Sequence, residues 1–318
     1  MNKLLPLAVM AVLSTAAARA EEPAQTAPPV APVAAAPAAP PATEPATAPG
    51  TAPAKSEEKP ASCDDALGVS RVAEVDTTGG ALFGDQYPST TLLQKGEVVL
   101  TFDDGPHPTY TKEILAALAA QCTKATFFNV GEMVKQFPDI AKQVQAEGHT
   151  IGTHTWSHPN LGSLSLERAK AQIESTITAE NAILPNGVAP FFRFPYLSDP
   201  KQVRAYLASR NIAVFSTDVD SFDWRTKAPD KIVDNVLKGL TKVDRGIILF
   251  HDIHEQTVKA LPTVLKELKS HGFKVVHLVP KSHVEVIAQA EPPKTEASHG
   301  GSHHRAHHYV KHRRYAKR

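Results

Sequence analysis

Two adjacent carboxylates stand in the run Thr101-Phe102-Asp103-Asp104-Gly105-Pro106. Side by side they repel each other, a cost that a bound cation or a shared proton relieves. Gly105 and Pro106 allow a sharp turn that would aim both side chains into one place, although the same residues also make an ordinary solvated turn. Further on comes His154-Thr155-Trp156-Ser157-His158. Two imidazoles four apart can hold one metal ion from a helical turn or a tight loop, and Pro159 favours the loop. With Asp104 they would form a facial set of two histidines and one carboxylate, leaving positions open for water and a substrate oxygen. Taken alone, the two histidines could equally be surface residues.

Three more clusters follow. Arg193-Phe194-Pro195-Tyr196 brings a guanidinium that could lock a carboxylate in place and keep it ionised, or could form an ordinary surface ion pair. Asp220-Ser221-Phe222-Asp223-Trp224 adds two further carboxylates, and Leu249-Phe250-His251-Asp252 closes the most apolar run of the chain. A histidine at that place beside Asp223 would be held in one tautomer with a raised pKa, which suits a general acid. A structural histidine at a strand end is the alternative.

The elements that must position these groups alternate. Buried-strand patterns fall at 97–102, 125–130, 149–152, 191–194, 212–216, 247–250 and 273–276. Helical spacing falls between them at 112–121, 139–147, 165–184, 201–210, 230–240 and 257–271. Repeated β–α alternation predicts a parallel sheet with helices outside, open or closed into a barrel, and in such folds chemistry gathers at the carboxyl ends of the strands. All five clusters fall there.

The chain has 318 residues, 42% of them apolar and 21% charged, which excludes wholesale disorder. Residues 1–20 read as a secretory signal: Lys3, an apolar stretch at 4–13 too short to span a bilayer, and Ala18-Arg19-Ala20 as the cleavage site. Nothing later in the sequence resembles a membrane helix. Residues 21–60 are rich in Ala, Pro and Thr and predict an extended spacer. Residues 61–94 are expected to be an N-terminal extension packed on the catalytic body at 95–285. Residues 286–318 form a basic, histidine-rich tail, expected to be disordered, that could contact anionic cell-envelope polymer or collect metal. Between the basic ends the body is net acidic, which argues against nucleic acid as a partner. In the oxidising compartment that export implies, the only two cysteines, Cys63 and Cys122, are expected to bridge, with two unpaired thiols as the alternative.

The order and spacing of the five clusters, over roughly residues 95–280, resemble the polysaccharide deacetylase (NodB-homology) family, carbohydrate esterase family 4. The resemblance implies an α/β fold, a deformed (β/α) barrel of about seven parallel strands, with a divalent metal, usually zinc or cobalt. It further implies Asp104, His154 and His158 as metal ligands, Asp103 as general base with Arg193 as its partner, and the Tyr196 amide for the oxyanion. His251 becomes the general acid oriented by Asp223, with Trp224 and Leu249 walling the pocket. The expected activity is hydrolytic N-deacetylation of N-acetylglucosamine units in an acetylated polysaccharide outside the cytoplasm, periplasmic or secreted. The rivals are an O-acetyl esterase on acetylated glycan, an amidase for a small cyclic amide, and a non-catalytic carbohydrate-binding relative.

Overall fold

The computed structural model describes residues 63–88 and 92–287. The expected signal, spacer and most of the expected tail lie outside the described residues. The chain divides at residue 56, and every described element belongs to the unit Glu57–Arg318.

In chain order the elements are β1 (Arg71–Val75), β2 (Leu82–Phe83), β3 (Glu97–Asp103), α1 (Tyr110–Ala120), β4 (Thr126–Asn129), α2 (Gly131–Gln136), α3 (Pro138–Ala146) and β5 (Thr150–Thr153). There follow α4 (Leu166–Ile183), β6 (Phe191–Phe192), α5 (Lys201–Ser209), β7 (Ala213–Phe215), β8 (Val219–Asp220), α6 (Pro229–Val243), β9 (Gly246–His251), α7 (Glu255–Ser270) and β10 (Lys274–Pro280). Local chemistry marks the helix starts: the Ser165 hydroxyl accepts the Arg168 N–H to cap α4, while Pro138 and Pro229 open α3 and α6.

Every ladder is parallel, as β–α alternation requires. One flank of β3 leads through β4, β5 and β6 to β7; the other leads through β9 to β8. Since β7 and β8 are consecutive in the chain, the segment 216–218 spans the gap and the sheet curls into a deformed barrel. The two sides of the strands bear this out. Leu100, Phe102, Phe127, Ile151, Phe192, Val214, Ile248 and Phe250 share one apolar cluster with helix residues. Val99, Phe128, Phe191, Ala213, Phe215 and Ile247, on the alternate positions, form a second cluster with no helix residue in it. A sheet face that meets only strands and loops is folded on itself.

All seven expected strands are present, with shifted ends. β6 stops at Phe192 because the chain turns into a 3-10 segment at Pro195–Leu197, and β10 runs on to Pro280. β2 and β8, two residues each, and the six-residue α2 are too short to show a period in sequence. Residues 63–88 are more than a covering: β1 pairs with β10 over five residues and β2 with β7. Arg71 on β1 grips Glu97 at the start of β3 through two hydrogen bonds of 2.7 and 2.6 Å. Cys63 and Cys122 are disulfide-bonded, with Cα atoms 5.8 Å apart, tying the segment before β1 to the end of α1.

Candidate active site

Strand alternation aims the chemistry. On β3, Thr101 and Asp103 share the inward face with Val99, and on β9, Leu249 and His251 share it with Ile247. Asp103 and His251 are direct ladder partners. Arg193, two residues beyond Phe191, also points inward: it is fully buried and its guanidinium lies 4.4 Å from the centre of the Phe128 ring. It donates to Asp103 Oδ1 (2.7 Å), Thr101 Oγ1 (2.8 Å), and the carbonyls of Phe215 and Ser216 (3.1 Å each). These bonds fix the guanidinium plane and leave Asp103 Oδ2 free of it. Burial is the main influence on Asp103 and pushes its carboxyl up to about 6, while Arg193 works in the opposite direction.

Next to it, Asp104 Oδ1 lies 3.5 Å from His154 Nε2 and 3.3 Å from His158 Nε2. The three ligand atoms fall within 4.8 Å of one another. His154 Nδ1 is 2.7 Å from the Arg193 carbonyl. A carbonyl only accepts, so Nδ1 carries the proton and the Nε2 lone pair faces Asp104. Burial holds this imidazole down at about 3, hence neutral. Asp104 Oδ1 is buried with no hydrogen-bond partner. A carboxylate oxygen and imidazole lone pairs converging on one point repel each other unless a cation sits among them. The donor set therefore fits a divalent metal. Asp104, Thr155 and His158 all hold positive φ (78°, 70° and 56°), so the turns that converge the ligands are strained.

Just after β8, Asp223 is fully buried and accepts from His251 of β9 twice, at the ring Nδ1 and at the main-chain N–H, both 2.7 Å. The Thr257 hydroxyl adds a third donor at 2.6 Å. Burial alone would push the His251 imidazole down; the Asp223 carboxylate overrides it and raises the ring to about 10. Tyr196 is the second residue of the 3-10 turn, a place where the amide N–H has no acceptor within the turn. Its φ is +58° and its ring stands edge-on to His158 at 4.7 Å. Trp224 sits 39% exposed at the rim beside Asp223, and Leu249 is buried one inward position before His251.

The structure thus gathers every residue singled out in the five clusters at the carboxyl end of the barrel. It also adds groups the sequence did not single out. Thr101 had a faint signal, lying two residues before Asp103 on one strand face. Asp252 stood in the fifth cluster without a role of its own, and Thr257 had no signal. Asp252 is fully buried, accepts from the Thr111 hydroxyl at 2.5 Å, and packs its carboxyl against Gly105.

A deformed β/α barrel with one carboxylate and two imidazoles converging beside a buried acid–histidine pair defines a class of metal-dependent hydrolases. Comparison with known proteins makes it particular: the profile of the family described as polysaccharide deacetylase matches residues 92–215. A peptidoglycan-N-acetylglucosamine deacetylase of Bacillus cereus is 38% identical over 197 residues, covering 60% of this chain and 70% of that protein. A chitooligosaccharide deacetylase of Azorhizobium caulinodans is 31% identical over 193 residues, covering 56% of this chain and 91% of the relative. The solved structure of the Bdellovibrio bacteriovorus peptidoglycan deacetylase Bd3279 superposes with a TM-score of 0.62 at 32% identity, over 69% of this chain and 61% of that one. The chain belongs to the polysaccharide deacetylase family, whose members use a divalent metal.

Proposed function

We propose that this chain hydrolyses the acetamide of N-acetylglucosamine units in a polysaccharide, releasing acetate and leaving a free amine on the sugar. One observation carries the reading: Asp103 and His251, the two groups suited to taking and giving a proton, are ladder partners beside the Asp104, His154 and His158 cluster. The relatives' names, peptidoglycan and chitooligosaccharide deacetylases, point to the same kind of bond.

Asp104, His154 and His158 would hold the cation, for which zinc suits the mixed nitrogen and oxygen set and cobalt is the second choice. Such an ion, when bound, supplies Lewis acidity to a carbonyl oxygen and lowers the pKa of water. Asp103 takes the proton of the attacking water at Oδ2, because Oδ1 is engaged by Arg193. The main-chain N–H of Tyr196 donates to the oxygen that becomes negative, a contribution of a few kcal/mol for one donor. His251 delivers the proton on Nε2 to the departing nitrogen, its Nδ1–H being committed to Asp223. An amine leaves badly unless protonated, and the carboxylate behind His251 keeps that proton in place at neutral pH. Trp224 and Leu249 wall the space around His251. The substrate is an extracytoplasmic polymer, reached after export through the signal at 1–20.

The test is acetate release from chitin oligomers, peptidoglycan and N-acetylated exopolysaccharide, with chelation and metal add-back. Chelator-sensitive acetate from at least one polymer is expected. Metal-loaded protein that releases none from any of them would sink the reading.

A further inference from the structure

Beside the catalytic pair lies a cavity of about 290 Å³ lined by Tyr110, Lys227, His254, Glu255 and Lys259, among others. Its walls come from the N-terminal ends of α1 and α7 and from the segments after β8 and β9, which open on the same end of the barrel as Asp103 and His251. His254 links the two places, its ring centre standing 5.7 Å from that of His251. The volume sits at the lower edge of ligand-pocket sizes, about 300 Å³ and upward, which suits one sugar unit more than a chain.

The charge of the cavity is positive in an otherwise acidic body. Glu255 is its one carboxylate among the described lining residues, and Lys259 pairs with it. Lys227 makes no hydrogen bond or ion pair with another described residue, yet its charge is felt at both His254 and Glu255. Tyr110 stacks flat on His107, ring centres 4.2 Å apart and planes within 9°. That gives the cavity a rigid aromatic wall for a sugar ring to lie along.

We propose that this cavity receives the sugar unit next to the one being deacetylated and that Lys227 binds a carboxylate carried by that unit. The substrate is therefore a glycan that carries a carboxylate on the unit beside the N-acetylglucosamine, rather than a neutral homopolymer. The carboxylate belongs to the sugar itself or to a peptide attached to it. The inference rests on the deacetylase reading and refines its substrate class.

The metal-loaded full chain is assayed for acetate release from four substrates: neutral N-acetylglucosamine oligomers, peptidoglycan strands with stem peptides, the same strands stripped of peptides, and stripped strands with carboxyls amidated. Wild type is compared with Lys227→Gln and Lys227→Glu. The expected result is that Lys227→Glu lowers kcat/KM on acidic strands about tenfold and Lys227→Gln less, while neutral oligomers change less than about twofold. Amidation should remove the wild-type preference and the effect of both substitutions. A preference kept on stripped strands assigns the carboxylate to the sugar; one seen only with stems assigns it to the peptide. Equal losses on neutral and acidic substrates, or wild-type indifference to the carboxylate in every form, overturn the inference while leaving deacetylation standing. No acetate from any substrate strikes the deacetylase reading instead.

Discussion

Asp103 is clamped at one oxygen and left open at the other, and the two halves of that carboxylate can be tested apart. Asp103→Asn keeps the volume and an oxygen for Arg193 but removes the base. Acetate release should fall by about 10²–10⁴, while zinc affinity, measured by calorimetric titration, changes only a few-fold because Asp104, His154 and His158 are untouched. Arg193→Met does the reverse, leaving a buried carboxylate without its cation. Loss of one partner of a buried pair costs about 3–5 kcal/mol, so urea unfolding should shift by that amount even with no substrate present. Both residues were visible in sequence as an acid and a base at strand ends. Their pairing was implied there only by the family resemblance, because Arg193 reaches Asp103 only once β6 and β3 face each other across the barrel interior.

At the scale of elements, the ends of β3 and β9 must meet closely for base and acid to be neighbours. Asp252, just past β9, lays its carboxyl over Gly105, and a Cβ at that glycine would come within 2.0 Å of Asp252 Oδ2. Gly105→Ala must therefore push the two turns apart. It should lower kcat far more than it raises KM, and lower the melting temperature, in the same preparation. Normal kcat and an unchanged melting curve would show the contact to be unimportant. The sequence pointed to Gly105 as a turn former; the structure gives it a second reason, closeness to the Asp252 carboxyl just past β9. The seven strands read in the sequence were legible because they lie in runs that are mostly apolar on both faces, even where, as at β6, the strand itself is only two residues long. β1 was not, since its alternating exposed and buried pattern is also that of a surface strand, and only its ladder with β10 makes it part of the sheet.

For the whole molecule, two buried imidazoles outside the metal cluster, His149 and His277, make stability depend on pH. His149 accepts the Ala125 N–H at Nδ1, at 3.1 Å. His277 donates through Nε2 to the Thr150 hydroxyl at 3.0 Å, since that hydroxyl's own proton goes to the Leu278 carbonyl. Burial, with Lys124 adding to it, pushes His149 down to about 3 and His277 to about 4. Both folded values lie below the unfolded one near 6.5, so below that pH the unfolded chain takes up protons that the folded chain refuses. The contribution of these two rings is full above pH 6.5 and falls as the pH drops toward 4, by about 2 kcal/mol per ring at pH 5, while the buried carboxyls of Asp103 and Asp252, held up at about 6 and 7, act in the opposite direction. Urea unfolding at pH 7.5 and 5 of wild type and His277→Gln isolates one ring: between the two pH values the variant should lose about 2 kcal/mol less stability than the wild type. The Cys63–Cys122 bridge closes a separation of 59 residues and supplies up to about 4 kcal/mol by restricting the unfolded chain. Cys63→Ala with Cys122→Ala should therefore lower stability by about 2–4 kcal/mol and leave the rate of acetate release unchanged, as read by urea unfolding and the acetate assay.

Sequence by itself determined the α/β alternation, the placing of five reactive clusters at strand ends and the residue types able to hold a cation. These depend on local periodicity and side-chain chemistry, which are written along the chain. Tertiary structure alone decided that Asp103 faces His251 across a ladder, that the Arg193 carbonyl sets the His154 tautomer, and that Lys227 shares a cavity with Tyr110 and His254. Those relations join residues remote in the chain, and they exist only once the strands have curled into one barrel.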